Sequence, residues 1–253
     1  MNKTLFNYNN FKLIILITIL TCFKYNCYSF DKINLLTEKK PPNNFEGPNN
    51  KITGISTEII EEIFKNAKID YSIEIVPWAR AYETASKNQN VGLYSLARTP
   101  DRENSFYWIG PLIKNDWVLF TRKNSKIKIN KLDDAKKYSI GVYKQSALAN
   151  YLLEKDFKPE KNLDFADEEK YNPSKLERNR IDIWATGLLV GLYHAKIHNT
   201  SFTPIYTIKE VGLYLAFNKK TDVNLIKSLE KSFEKIKNNE KIKAIQKKYG
   251  YKK

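Results

Sequence analysis

Cysteine is almost absent: the chain has two, Cys22 and Cys27, and both fall within its first 29 residues. From residue 30 onward there is no thiol nucleophile, no disulfide and no cysteine metal ligand, so stability there must come from a packed core. Histidine is equally scarce, with only His194 and His198. Their i, i+4 spacing can seat a metal, yet no flanking carboxylate completes a ligand set, and a surface pair is expected instead. A Ser-His-acid triad would have to draw on the same two rings. The nine glycines form no phosphate-cradling loop. Hydrolase and metal chemistry therefore lose their usual carriers, and no cofactor is implied. The apolar block at residues 13–23 is too short to cross a hydrocarbon core of ~30 Å.

That block is read as the core of a secretory signal peptide. Lys3 and Lys12 precede it, no acid occurs through residue 29, and Cys27-Tyr28-Ser29 offers small residues at the two positions a signal peptidase reads. Cleavage is expected near Ser29, leaving a soluble periplasmic protein. A lipoprotein would need a small residue before its acceptor cysteine, and neither Thr21 nor Asn26 suits. Removing Lys3, Lys12 and Lys24 lowers the net charge from +15 to +12. The remaining lysines are scattered among acids, which describes a solvated basic surface and argues against a nucleic-acid partner.

The pattern from residue 33 to 97 alternates strand and helix: Ile33–Leu36, a helical stripe in "GISTEIIEEIFKNAKI" with Ser56 or Thr57 as N-cap, "YSIEIVPW", "ARAYETASKN" and "VGLYSLA". This is the order of an α/β lobe with a largely parallel sheet. "SIGVY" followed by a helix opening at Ser146, and "IDIWAT" followed by another helix, build a second lobe. "WVLFTRKNS" and "VGLYLAFNKKTD" echo each other and are expected to tie the lobes together. The expected divisions are residues 1–29 as leader, 30–120 with 214–253 as the first lobe, and 121–213 as the second. The C-terminal residues 222–250 read as one amphipathic helix, with Leu225, Leu229, Phe233 and Ile236 on its apolar side.

Chemistry collects where arginine meets aromatics. Trp78, Arg80, Arg98 and Arg102 all fall at or just beyond predicted strand ends, where open α/β sheets bind ligands. A guanidinium holds a carboxylate through two parallel hydrogen bonds and keeps its charge in a half-dry cleft.

"ITGISTEIIEEIF", "PWARAY", "LARTPDRENSFYWIGPL", "SIGVYKQSALANYLL", "RNRIDIWATG" and "LYLAFNKKT", taken in order, resemble the family 3 periplasmic solute-binding proteins of amino-acid ABC importers, in the branch carrying Pro-Trp-x-Arg-Ala. The likeness spans the chain from residue 30 on. It implies a two-lobed type II periplasmic-binding-protein fold, α/β throughout, with lobes joined by two hinge strands that close over a solute. It also implies a monomer without enzymatic turnover that serves an inner-membrane ABC permease. Carried over by position, Arg102 matches the arginine that grips the ligand carboxylate and Ser95 a serine on the preceding strand. Ser146 matches the second-lobe helix start that meets the same anion. Glu38 and Trp78 line the pocket, and Thr186 lies at its second-lobe wall. Where amino-acid binders commonly carry an aspartate for the α-amino group, this chain has Gly187. Glu38 would then take the amine, or the solute is not an α-amino acid. Arg80 and Arg98 beside the mouth would favour an acidic solute. Two rival readings share the fold: a periplasmic dehydratase of the cyclohexadienyl type with Glu38 as its acid, and the binding component of a membrane sensor.

Overall fold

The computed structural model describes residues 32–251; the expected leader and both cysteines lie outside the described residues. In chain order the strands are β1 (Ile33–Thr37), β2 (Phe45–Glu46), β3 (Ile52–Thr53), β4 (Tyr71–Ile75), β5 (Val91–Ala97), β6 (Phe106–Lys114), β7 (Trp117–Arg122), β8 (Ile140–Tyr143), β9 (Leu163–Ala166), β10 (Ile183–Gly187), β11 (Phe202–Lys209) and β12 (Gly212–Asn218). The α-helices are α1 (Ile55–Ala67), α2 (Trp78–Lys87), α3 (Ala147–Glu154), α4 (Tyr171–Glu177), α5 (Leu188–Ile197), α6 (Val223–Ile236) and α7 (Glu240–Lys248).

The strands form two five-stranded sheets and a small β2-β3 hairpin. The first sheet runs β4-β1-β5-β12-β6, with β1 parallel to β4 and β5, and β12 antiparallel to β5 and β6. The second runs β11-β7-β10-β8-β9, with β8 parallel to β9 and β10, and β7 antiparallel to β10 and β11. Each sheet has its own core. Leu36, Leu93, Leu96 and Ala216 meet Ala81 and Ala85 of α2 in the first, while Leu119, Ile140, Val142 and Ile183 meet Leu148 and Leu152 of α3 in the second. Each such Leu or Ile contributes ~1.5–3 kcal/mol on leaving water.

The expected tie strands are placed differently. Trp117–Arg122 hydrogen-bonds between β10 and β11 and is a full member of the second sheet, while Gly212–Asn218 lies inside the first. The expected divisions at residues 121 and 213 thus fall within strands. The chain passes between sheets at Asn115-Asp116 and again at Glu210-Val211. The two passages are bonded to each other: Asn115 N–H donates to the Val211 carbonyl at 2.8 Å, and Val211 N–H donates to Asp116 Oδ1 at 3.0 Å.

Two helix ends depart from expectation. α1 begins at Ile55, and Gly54 rather than Ser56 or Thr57 stands at its N-cap, with φ 125. The first-turn N–H groups of Ile55, Ser56 and Thr57 donate to the carbonyls of Pro42 and Asn43 at 2.9, 3.0 and 3.4 Å. Backbone so close leaves no room for a side chain at position 54, where a Cβ would lie 2.3 Å from the Asn43 oxygen. The C-terminal segment is two helices, because Asn239 Oδ1 accepts Ile242 N–H at 2.8 Å and caps α7 as a new start. The expected apolar face of α6 is buried, and Ser232 on α6 donates to the Ile63 carbonyl of α1 at 2.6 Å.

Candidate ligand-binding cleft

Parallel strands of both sheets end on a common cavity of about 60 Å³. From the first sheet it receives Glu38 after β1, Asn43 in the following loop, Trp78 at the start of α2, Ser95 on β5 and Arg102 beyond it. From the second come Tyr143 at the end of β8, Ser146 at the start of α3, and Thr186 and Gly187 at the end of β10. Asn115 and Trp117 contribute from the first passage between sheets. An adjoining cavity of about 430 Å³ shares Glu38, Lys40, Trp78, Tyr143 and Glu169, which gives a bound molecule room to extend outward.

Arg102 is the dominant charge. The turn after β5, closed by Arg102 N–H donating to the Thr99 carbonyl at 3.0 Å, folds its side chain inward until only 5% of the residue is exposed. The guanidinium lies over the rings of Trp78 and Tyr82, at 5.4 and 5.2 Å, and Nη1 donates weakly to the Ala97 carbonyl at 3.4 Å. The carboxylate of solvent-exposed Asp101 lies 3.8 Å from Nε, and buried Glu38 exerts a weaker pull on the same charge. Burial lowers the Arg102 pKa, against the opposing pull of Tyr82 and Asp101, but a guanidinium remains charged. A buried cation with five donors and so few acceptors costs free energy until an anion arrives.

Polar groups around it are left open. Thr186 is 2% exposed and its hydroxyl has no hydrogen-bond partner within the protein; neither polar atom of the Asn43 carboxamide has one, and that residue is fully buried. Buried groups of this kind ordinarily find partners, and both residues line the cavity. Ser95 reaches the cleft through a β-bulge: Tyr214 pairs with Leu96 and Leu215 with Tyr94, so Ser95 is passed over, with φ 61. Its hydroxyl donates to Asn44 Oδ1. Ser146 caps α3 by accepting Ala149 N–H at 3.0 Å, which engages its hydroxyl oxygen as an acceptor and leaves its O–H able to donate. What α3 offers a ligand is the open N–H groups of Ala147 and Leu148, both on the cavity wall, at the positive end of its dipole.

The acids come with partners. Tyr143 hydrogen-bonds Glu38, Lys40 lies near it, and burial raises the Glu38 pKa beyond what these contacts lower. Tyr143 is itself raised, first by burial and then by Glu38. Glu169 accepts the buried Trp184 Nε1–H at 2.9 Å and sits 3.8 Å from Lys40 Nζ. Lys40, Asn43, Asn115, Trp117, Tyr143 and Glu169 are cleft residues that sequence reasoning passes over.

The match to the bacterial extracellular solute-binding proteins, family 3, runs over residues 33–252. The chain belongs to this family. No curated protein matches the sequence. Among solved structures, a histidine kinase sensor domain with similarity to periplasmic binding proteins superposes with a TM-score of 0.78 at 16% identity, over 87% of this chain and 96% of that one. ArtJ, the arginine-, lysine-, histidine-binding protein from Geobacillus stearothermophilus, gives 0.73 at 19%, over 87% and 95%. The ancestral amino acid-binding protein AncCDT-1, a precursor of cyclohexadienyl dehydratase, gives 0.74 at 16%, over 86% and 94%. These likenesses establish the fold as that of periplasmic binding proteins with two sheet-bearing lobes.

Within this family 3 protein, two expected site residues stand outside the cleft. Arg98 is held by Glu103, with Nε donating to Oε2 at 2.7 Å and Nη2 to Oε1, and it stacks over Trp108 and Tyr214 at 5.6 Å each. Its charge is spent on the fold. Arg80 is exposed on α2 and lines neither cavity. The expected surface histidine pair is half wrong: His194 is 4% exposed, packed edge-on to Trp184 at 5.7 Å and stacked on His198 at 5.7 Å. Burial, with a contribution from His198, pushes its pKa down to about 4. Among the described residues no group of His, Cys, Asp or Glu is arranged to hold a metal, and no helix is long and apolar enough to cross a membrane.

Gly187 has a structural reason. Its φ of -71 suits any residue, but a Cβ there would lie 2.3 Å from Asn115 Nδ2 and 2.6 Å from Asn115 Cγ. The Asn115 carboxamide occupies the space a side chain at 187 would take. Its Oδ1 accepts Leu189 N–H at 3.1 Å, capping α5 from the neighbouring passage.

Proposed function

We propose that this protein is a periplasmic solute-binding protein that encloses a small carboxylate-bearing solute, an amino acid or a relative of one, and delivers it to an inner-membrane ABC permease. The observation that carries this reading is Arg102: a buried guanidinium stacked on aromatic rings on the cavity wall, whose one ion-pair carboxylate among the described residues, Asp101, is solvent-exposed. A ligand carboxylate on Arg102 that also reaches Thr186 and the α3 N-terminus touches both lobes, and therefore favours whichever arrangement brings them together. Glu38, Trp78, Ser95, Ser146 and Thr186 form the rest of the contact set, with Arg80 and Arg98 removed from it.

The test is thermal stabilisation by the solute that copurifies with native protein, identified by mass spectrometry. At a hundredfold excess over Kd a ligand adds about 2.7 kcal/mol. Arg102→Ala is expected to abolish that shift, and an undiminished shift refutes the role given to Arg102.

Two rivals remain open to direct comparison. Glu38, with its raised pKa and its Tyr143 partner, has the character of a general acid, and the AncCDT-1 likeness makes a dehydratase the enzyme to test for. Prephenate or arogenate turnover by pure protein, lost in Glu38→Gln, would establish it. The sensor-domain likeness favours a receptor role, which a pull-down of the membrane partner separates from a permease.

A further inference from the structure

The group beside the ligand carboxylate can be inferred from how the cleft distributes hydrogen-bond donors and acceptors. This rests on the carboxylate-binding reading above and narrows it. The orientation of Asn115 is fixed by its neighbours: Leu189 N–H donates to Oδ1, so that oxygen is the capping acceptor and the amide nitrogen, Nδ2, is the free end. Asn115 lines the cavity, and its whole carboxamide, with Nδ2 at 2.3 Å and Oδ1 at 2.5 Å, fills the space where a Cβ of residue 187 would lie. With Oδ1 engaged by Leu189 N–H, the end left for a ligand is a donor.

The acids of the cleft do not make up the loss. Glu169 is engaged by Trp184 Nε1–H and Lys40, and Glu38 by Tyr143 with Lys40 nearby. Each carboxylate already has a donor or a cation from the protein itself. An incoming ammonium would enter against the charges of Arg102 and Lys40, and would have to share a carboxylate that already has a partner within the protein. An oxygen function could accept from Asn115 Nδ2 or from the unpartnered Thr186 hydroxyl, both residues being on the cavity wall. Leaving buried donors of this kind unmatched is what makes a polar site discriminate strongly.

We propose that Asn115 is a specificity-determining residue, and that the cleft selects carboxylates bearing an oxygen function on the neighbouring carbon, 2-hydroxy or 2-oxo acids, over the α-amino acids of the same skeleton.

The experiment compares matched pairs by calorimetry on the purified protein: lactate with alanine, malate with aspartate, 2-hydroxyglutarate with glutamate, and phenyllactate with phenylalanine. In the pair that fits, the hydroxy acid is expected to bind at least tenfold more tightly, through Arg102. Asn115→Asp keeps both the shape and the cap on Leu189 N–H while exchanging the donor for an acceptor, and is expected to shrink or invert the ratio. If the amino acid binds as well or better and Arg102→Ala removes it, this inference falls while the carboxylate reading survives. Binding of no member of either series overturns both. A folded Asn115→Asp protein with an unchanged ratio overturns the role of Asn115; should that variant not fold, the wild-type ratios alone decide the ligand class.

Discussion

Replacing Gly187 by alanine tests whether the close approach of Asn115 is as tight as it looks. The added methyl group would fall 2.3 Å from Nδ2, 2.5 Å from Oδ1 and 2.6 Å from Cγ, so the carboxamide must retreat by about 1 Å to reach ordinary contact. That retreat breaks the 3.1 Å bond from Leu189 N–H. Overpacking of this kind costs ~1–3 kcal/mol and loss of the cap ~1 kcal/mol, a total of ~2–4 kcal/mol. At ~2–4 °C per kcal/mol for a chain of this size, the melting temperature should fall by roughly 5–15 °C. Calorimetry or urea titration of Gly187→Ala, Asn115→Ala and the double variant measures both the cost and its origin. Once Asn115 is truncated, the alanine methyl enters vacated space, so the second substitution should add less than ~0.5 kcal/mol to the first. Strict additivity, or a single Gly187→Ala cost under ~0.5 kcal/mol, refutes the argument.

Arg98→Ala should leave solute affinity within about threefold, because its guanidinium serves Glu103, Trp108 and Tyr214 outside the cleft; a loss as large as that of Arg102→Ala would put it back in the site. His194, whose pKa falls from 6.5 to about 4, is protonated in the unfolded chain before the folded one as pH drops. Its contribution is therefore intact above pH 6.5 and declines between 6.5 and about 4, and His194→Phe should flatten that part of the stability profile relative to wild type. For Glu38 the folded pKa is raised, so its ionisation opposes folding above the unfolded value and has no effect well below it. Glu38→Gln is accordingly expected to raise the melting temperature of ligand-free protein at pH 7 and to leave it unchanged near pH 3.5; equal effects at both would contradict the burial of that carboxylate.

The site residues legible in the sequence were marked either by local pattern or by the resemblance to a family. Trp78 and Arg102 stand just beyond strand ends, whereas Glu38, Ser95 and Ser146 were singled out by the positions they match in the family. What stayed hidden depends on contacts distant in sequence. Asn115 belongs to no motif, and acquires meaning only because Gly187 and Leu189, more than seventy positions on, pack against it. Arg98 and Arg102 look alike in "ARTPDR", and only the reach of Glu103 back to Arg98 separates a structural arginine from a buried free one. Asn43 is hidden in a Pro- and Asn-rich loop, and its placement follows from two carbonyls that cap α1. The strand boundaries were blurred where Pro111 interrupts β6 and Pro204 interrupts the edge strand β11.

The two passages between sheets are bonded to each other through Asn115, Asp116 and Val211, and Asn115 also faces the cavity. Passage and cavity therefore meet at a single residue, whose backbone N–H ties the passages while its side chain lines the cavity. If the proposed role of Asn115 holds, a substitution at position 115 would change what the cavity presents to a solute while leaving the backbone bond between the passages in place, so that solute choice could drift there without unfastening the connection between the sheets.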